Sequence, residues 1–136
     1  MSGDGAGPAL TVVVPMHPPP EAAANWRGHH LAKYRAQRDY RTAARYIARS
    51  SVFDLWGDDR APLVALSLRV TIRWGTGRKR QDPTNAVILV KAAIDGIADA
   101  LGVDDRLWRI TDLVQERDPT GAGETVVELW QAGCVA

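Results

Sequence analysis

Residues 78–105 of the 136-residue chain read RKRQDPTNAVILVKAAIDGIADALGVDD, and they form the centre of the predicted fold. From Pro83 to Leu101 the residues are apolar on nearly every side, which predicts a helix buried between a sheet and a second surface. Gly102 follows as a residue that can end a helix in the left-handed conformation. A basic run (78–80) precedes this helix, and an acidic pair (104–105) follows it.

The polar residues around the helix are those that metal-assisted phosphate chemistry requires. Carboxylate oxygens suit Mg²⁺ or Mn²⁺, and a metal held by them activates water against a phosphodiester. The ammonium of Lys91 can stabilise charge that develops on the phosphate, and the basic run would attract a polyanion. Asp82 also has a structural interpretation, because Asp followed by Pro before an apolar helix is typical of an N-cap. The two roles of Asp82 do not exclude each other.

These residues resemble the RusA-type Holliday junction resolvases, a family of nucleases that cut four-way DNA junctions. The family pattern runs from a basic cluster into Asp-x-Asp-Asn, then into a helix reading roughly KAAFDAL, and then to an Asp-Asp pair beyond a Gly. This chain has the basic run, Asp82 and Asn85, the segment KAAID (91–95), Gly102 and the acidic pair, over about a fifth of its length. Upstream, VVVPMHPPPEAAANWR (12–27) is similar to the family's first strand and Pro-Pro turn.

The resemblance implies a Mg²⁺-dependent endodeoxyribonuclease that resolves four-way junctions by paired nicks in DNA recombination and repair. It implies a RusA-like fold and a homodimer with two active sites. The second surface that covers the apolar helix would then be another subunit. Asp82 and Asp105 would be metal ligands, with Asp104 as a supporting or alternative ligand. Lys91 would stabilise the transition state, and Asn85 would orient the metal ligands.

Two features depart from the family pattern. Thr84 stands where the second Asp of Asp-x-Asp-Asn is expected, so one metal ligand is missing, although its hydroxyl can supply a weaker oxygen or hold a water. Lys91 follows Asn85 by six residues instead of three. Three further helical residues add about 4.5 Å of rise and most of one turn, so Lys91 keeps roughly the same face. An intrahelical salt bridge with Asp95, four residues on, is the structural alternative for Lys91.

The rest of the chain predicts an α+β domain over residues 1–136, with residues 1–9 flexible. Apolar residues alternate with polar ones from Leu63 to Trp74, which is typical of a strand with one buried face. Further strands are predicted at 10–14, 107–115 and 125–130, which together give a mixed sheet. A second main helix is predicted from Leu31 to Arg49, with Leu31, Tyr34, Ala44 and Ile47 toward the core.

Charge is unevenly distributed along the chain, although the net charge is only +1. Residues 1–80 carry thirteen Lys or Arg and six acids, whereas residues 81–136 carry four and ten. A basic half can bind phosphates while an acidic half holds metal. We expect the DNA backbone to contact Arg27, Arg38, Arg41, Arg45, Arg73, Arg78, Lys79 and Arg80.

Composition fits a globular domain, with 46% hydrophobic residues. The chain has no apolar run long enough to cross a membrane and a single cysteine, Cys134, so we expect a cytoplasmic protein. The resemblance implies a bacterial protein or a phage protein in a bacterial host. Two alternatives to the nuclease remain open. The first is a branched-DNA-binding protein that kept the fold without catalysis. The second is an assembly protein in which the apolar helix is only a dimer interface.

Overall fold

Four strands and two long helices make up a two-layer α+β domain with a mixed sheet. The computed structural model describes residues 7–22, 27–57, 66–118 and 121–131, so Cys134 lies outside the described residues. The strands are β1 (Leu10–Val14), β2 (Leu66–Trp74), β3 (Arg109–Arg117) and β4 (Glu124–Gln131), and the helices are α1 (His30–Trp56) and α2 (Pro83–Leu101). Short 3₁₀ helices occupy Pro20–Ala22 and Asp105–Leu107. No helix among the described residues is long and apolar enough to cross a membrane.

The sheet has the strand order β1-β4-β2-β3. β4 pairs antiparallel with both β1 and β2, whereas β2 and β3 are parallel. Parallel neighbours need a crossover connection, and α2 with its flanking loops provides it. The two ends of α2 therefore lie at opposite ends of the paired strands, which determines where the candidate site residues can meet.

The predicted alternation in β2 is confirmed over the described part of the strand. Leu66, Leu68, Val70, Ile72 and Trp74 are all buried, and they face the helices together with apolar residues of β1 and β4. The opposite face carries two arginines of β2, each directly paired with acids on both neighbouring strands. Arg69 pairs with Asp112 and Glu128, and Arg73 pairs with Glu116 and Glu124. This charged ladder covers the face of the sheet that has no helix.

α1 is longer than predicted, because it continues seven residues beyond Arg49 to Trp56. Ala44 is buried as expected, but Leu31 and Tyr34 are exposed, so the prediction that they face the core is wrong. The physical reason is helical phase: at 3.6 residues per turn, Leu31 lies roughly 140° and Tyr34 roughly 80° around the helix axis from buried Ala44. Tyr40 instead fills the core, where its hydroxyl lies 2.6 Å from Thr125 Oγ1.

The two helices cross in close contact at Gly96 of α2. A Cβ at this position would lie 2.2 Å from the carbonyl oxygen of Arg41 and 3.1 Å from the amide nitrogen of Arg45. Only a residue without a side chain lets the two backbones approach this closely. The crossing fixes α1 against the C-terminal half of α2, so α1 covers a surface of α2 that we expected a second subunit to cover.

Candidate functional site

Lys91, Asp95 and Asp105 form an acid–lysine cluster on the outer side of α2. The Lys91 ammonium lies 2.7 Å from Asp95 Oδ1 and 2.7 Å from Asp105 Oδ2, and it donates hydrogen bonds to both carboxylates. The intrahelical bridge from Lys91 to Asp95 is therefore present, as the spacing predicted. The contact with Asp105 joins two residues that the sequence assigned to one site. Because two carboxylates share one ammonium, the cluster carries a net charge of −1.

Asp105 reaches this position through the turn that ends α2. Gly102 adopts the left-handed conformation, with φ of 69°, and its amide donates to Ala98 and Asp99. Asp104 then caps the short 3₁₀ helix, because its side chain accepts the Arg106 N–H at 2.9 Å and also pairs with the Arg106 guanidinium. Asp104 is thereby directed to Arg106, while the chain turns back and brings Asp105 to Lys91.

Each charged group of the acid–lysine cluster shifts the pKa of its partner so that the ionised form is favoured. Partial burial of Lys91 works against its charged form, but the hydrogen bonds to Asp105 and Asp95 outweigh this effect and raise the pKa of Lys91 above its ordinary value. The hydrogen bond from Lys91 holds the pKa of the Asp105 carboxyl below its ordinary value. Both groups are therefore ionised around neutral pH.

Asp82 lies at the other end of α2 and acts as its N-cap. Its carboxylate accepts the Thr84 N–H at 3.2 Å, and Pro83 occupies the first turn, so the capping interpretation is confirmed. Thr84 is exposed and Asn85 is half-buried. The three residues that were expected at the metal, Asp82, Thr84 and Asn85, thus lie at the N-cap and in the first turn of α2.

Gln115 of β3 holds the segment that leads to Asp82, a role that no feature of the sequence indicates. Its side-chain oxygen accepts the Gln81 N–H at 2.7 Å, and its side-chain nitrogen donates to the Gln81 carbonyl oxygen at 2.7 Å. The same oxygen accepts the indole N–H of Trp74 at 2.9 Å. One side-chain amide therefore fixes the backbone next to Asp82 against the ends of β2 and β3.

The two predicted metal ligands Asp82 and Asp105 are not brought together within the chain. Lys91 lies nine residues after Asp82, which corresponds to about 14 Å along the helix axis, and its ammonium extends toward Asp95, away from Asp82. Ligand oxygens lie only about 2.0–2.1 Å from a bound Mg²⁺, so one ion cannot contact both carboxylates of a single chain. Among the described residues, no group of three or more His, Cys, Asp or Glu side chains could hold a metal ion. Within one chain, the residues do not fit a Mg²⁺ site built on Asp82 and Asp105.

An open groove of about 620 Å³ runs between the two helices beside the cluster. Its floor includes Val87 and Ile88, its rim carries basic and aromatic side chains from α1, and Lys91 and Asp95 line one part of it. The groove residues from α1 are Tyr34, Gln37, Arg38 and Arg41, and those from α2 are Val87, Ile88, Lys91, Ala92 and Asp95.

The residues predicted to bind DNA fall into two groups. Arg27, Arg45, Arg78, Lys79 and Arg80 are exposed. Three others pair with acids: Arg38 with its neighbour Asp39, Arg41 with Asp99 at 2.8 Å, and Arg73 with Glu116 and Glu124. The hydrogen bond to Glu116 and the charge of Glu124 raise the pKa of Arg73. A phosphate at Arg73 would have to compete with two carboxylates, whereas the run 78–80 presents its charge at the surface beside Asp82.

Comparison with protein-family models and with curated proteins finds no match for the chain. The functional assignment therefore depends on the residues and their geometry.

Proposed function

We propose that this protein is a Mg²⁺-dependent endodeoxyribonuclease that acts on branched DNA, with four-way junctions as its preferred substrate. The observation that carries the proposal is the 2.7 Å contact between Lys91 and Asp105. These residues are fourteen positions apart in the sequence, and the RusA-like motif assigns both of them to catalysis. A helix, a left-handed turn and a 3₁₀ helix cooperate to make this contact. The proposal includes the homodimer and the bacterial or phage cytoplasmic setting that the resemblance implies.

Lys91 is suited to contact the phosphate that reacts. Its side chain is 60% exposed, so the ammonium can reach a phosphate oxygen, and its raised pKa keeps it charged. Asp95 and Asp105 hold the ammonium at one position and restrict its motion. A bound Mg²⁺ would supply Lewis acidity and lower the pKa of an attacking water.

Basic residues at two places can bind the DNA backbone. The exposed run 78–80 lies at the start of α2, and Arg38 and Arg41 lie on the groove next to Lys91. Phosphate contacts of this kind position a nucleic acid without reading its sequence. Such contacts favour recognition of a branched shape over recognition of a base sequence.

Cleavage of a labelled four-way junction, beside linear duplex and flap DNA, tests the proposal. We expect symmetric nicks in the junction with Mg²⁺ and none with chelator. Asp105→Asn and Lys91→Gln should abolish cutting while junction binding persists. Asp112→Asn is the matched control, because it also removes an acid paired with a basic residue, but on the open face of the sheet. Equal cutting of linear duplex, or full activity of Asp105→Asn, would contradict the proposal.

A branched-DNA-binding protein without catalysis is the second candidate, and two observations favour it. Thr84 occupies the position of an expected carboxylate, and Lys91 already neutralises part of the charge of Asp95 and Asp105. Tight junction binding with no cutting in Mg²⁺ or Mn²⁺ would select this candidate. In either case Arg80→Ala should weaken binding and reduce the slope of log K against log salt by about 0.9 for each phosphate that is no longer neutralised.

A further inference from the structure

The outward face of α1 presents two aromatic rings to solvent. Tyr46 leaves 72% of its surface exposed and Phe53 leaves 60% exposed. They are seven positions apart, which is about two helical turns, so they lie on the same face of the helix, roughly 10 Å apart along its axis. Tyr40 of the same helix is fully buried, whereas neither exposed ring belongs to the core. Two large rings held open on one helix face suit a ligand that has flat apolar faces of its own.

Positive charge flanks these rings on one side of the helix. Arg49 lies roughly 60° and Arg45 roughly 100° around the axis from Tyr46, and both arginines are exposed. α1 contains six Lys or Arg but only two acids, Asp39 and Asp54, and Asp39 already pairs with a neighbouring arginine. Within the part of the chain that the structure describes, no acid forms an ion pair with Arg45 or Arg49. These two charges are therefore available to an anionic ligand.

A single strand of nucleic acid offers both features that this face can bind. Every base has a π-face that stacks on an aromatic side chain, and every nucleotide brings a phosphate for an arginine. In a duplex the bases already stack on one another, so only an unpaired strand can place its bases on two separate rings. A membrane surface also attracts basic and aromatic residues, but an interfacial helix needs a large apolar face. Here the polar residues Thr42 and Ser50 lie exposed one turn before and after Tyr46, which favours the strand.

We propose that Arg45, Tyr46, Arg49 and Phe53 form an aromatic–arginine stripe that binds single-stranded nucleic acid. Bases stack on the two rings, and phosphates contact the two guanidinium groups. Such contacts hold a strand without reading its sequence, because every base has a π-face. The stripe shares no residue with the acid–lysine cluster or with the run 78–80, so the inference does not depend on the proposed nuclease activity.

Fluorescence anisotropy with a labelled thymidine homopolymer tests the stripe, with a duplex of the same length for comparison. We expect the single strand to bind more tightly than the duplex. Tyr46→Ala and Phe53→Ala should each weaken strand binding about tenfold, whereas Tyr46→Phe keeps the ring and should bind like the wild type. Leu55→Ala is the matched control, because Leu55 is also an exposed apolar residue of α1, 57% exposed, but lies roughly 180° around the axis from Tyr46. It should not change binding, and circular dichroism should show unchanged helix content in all these variants.

The salt dependence of binding separates stacking from charge. Arg49→Gln should reduce the slope of log K against log salt by about 0.7 for each phosphate that is no longer neutralised. Tyr46→Ala should lower the affinity at every salt concentration and leave the slope unchanged. Binding that is equally tight for duplex and survives the loss of both rings would overturn the inference, as would a wild type that binds no single strand. Binding to anionic phosphatidylglycerol vesicles in place of the strand would also overturn it and assign the stripe to a membrane surface.

DNA and RNA strands share the chemistry that the stripe would recognise. A uridine homopolymer is therefore measured beside the thymidine homopolymer, and the one that binds more tightly identifies the kind of strand.

The two proposals can fail separately. Strand binding that depends on Tyr46 and Phe53, in a protein that never cuts branched DNA, would refute the nuclease and retain the stripe. Junction cleavage by a protein whose strand binding survives the loss of both rings would retain the nuclease and refute the stripe.

Discussion

The two ends of α2 are held in place by different kinds of contact. At the start of the helix, the side-chain amide of Gln115 bonds the backbone of Gln81, and Asp82 caps the first turn. In the C-terminal half, close backbone packing at Gly96 is combined with ion pairs of Lys91. Nineteen helical residues separate the two ends by about 28 Å. A motif that is continuous in sequence is therefore divided in the fold, and each half can be tested separately.

The largest expected effect is at Gly96, in the C-terminal half. Gly96→Ala should lower the free energy of unfolding by about 3 kcal/mol, because the new Cβ would press on the backbone of α1 and neither backbone can yield cheaply. Urea denaturation measures this change in the free energy of unfolding. Gly7→Ala is the control, since a Cβ there meets nothing within 4 Å and the stability should be nearly unchanged. Equal stability of the two variants would show that the helix crossing tolerates a side chain.

Gln115→Leu tests the start of α2 and should lower the free energy of unfolding by about 2 kcal/mol. The Trp74 indole N–H and two backbone groups of Gln81 would lose their hydrogen-bond partner. Gln115→Glu keeps the acceptor for both N–H groups but places a carboxylate oxygen against the Gln81 carbonyl oxygen, so it should retain only part of the stability. Denaturation gives the stabilities, and hydrogen exchange should rise at 78–82 while the region around Asp105 stays protected. A uniform rise over the whole helix would mean that the two ends are not independent.

Two substitutions of Asp82 should separate its role as the helix cap from its proposed role in DNA cleavage. Asp82→Ala should destabilise the protein by about 1 kcal/mol through loss of the N-cap, whereas Asp82→Asn should keep the stability because Asn caps equally well. The two variants should be equally deficient in junction cutting, which follows the carboxylate and not the cap. If Asp82→Asn cuts junctions like the wild type, Asp82 is a cap alone.

The smallest expected effect is a difference in how the two ends respond to acid. Burial, and then the charge of Arg78, lower the pKa of His17 below 6.5, and neutral His17 Nδ1 accepts the Gly75 N–H at 3.1 Å, close to the start of the basic run. A lowered native pKa means that this stabilisation is present above pH 6.5 and is lost as pH falls through the native value. The pKa of Asp105 is lowered from 3.8, so its contribution is lost only at still lower pH.

Hydrogen exchange between pH 6.5 and 4, corrected for intrinsic rates, should therefore show protection falling around Gly75 while the acid–lysine cluster is unchanged. The raised pKa of Lys91 implies that the cluster is also stable on the alkaline side until pH rises above 10.5 toward the native pKa. His17→Gln should remove the acid response at Gly75. Simultaneous loss of protection from hydrogen exchange at both ends would show that the helix opens as one unit.

The sequence predicted what depends on local rules. Spacing within one helix predicts four features, and all four are confirmed. They are the bounds of α2, the Asp82 cap, the end of the helix at Gly102 and the salt bridge from Lys91 to Asp95. Alternation likewise predicted the buried face of β2. These features need no knowledge of distant parts of the chain.

The sequence could not predict what depends on distant contacts. The hydrogen bonds between Gln115 and Gln81 join residues that are 34 positions apart. The separation of Asp82 from Asp105 arises because the chain turns back after Gly102 only as far as Lys91. The motif places Asp82 and Asp105 close together in sequence, but the length of the helix between them keeps them apart in the fold.

The charged ladder on the open face of the sheet also has a consequence for how the chain folds. Apolar alternation in β2 would be preserved if a neighbouring strand slipped by two residues, so hydrophobic burial alone does not select the correct alignment. The native alignment places Arg69 and Arg73 opposite acids on both sides, whereas a two-residue slip would place Arg69 opposite Val126 or Trp130 on β4 and Ile110 or Val114 on β3. The ladder therefore makes the native strand alignment more stable than a slipped one, because a slipped sheet loses these ion pairs although its apolar face stays buried.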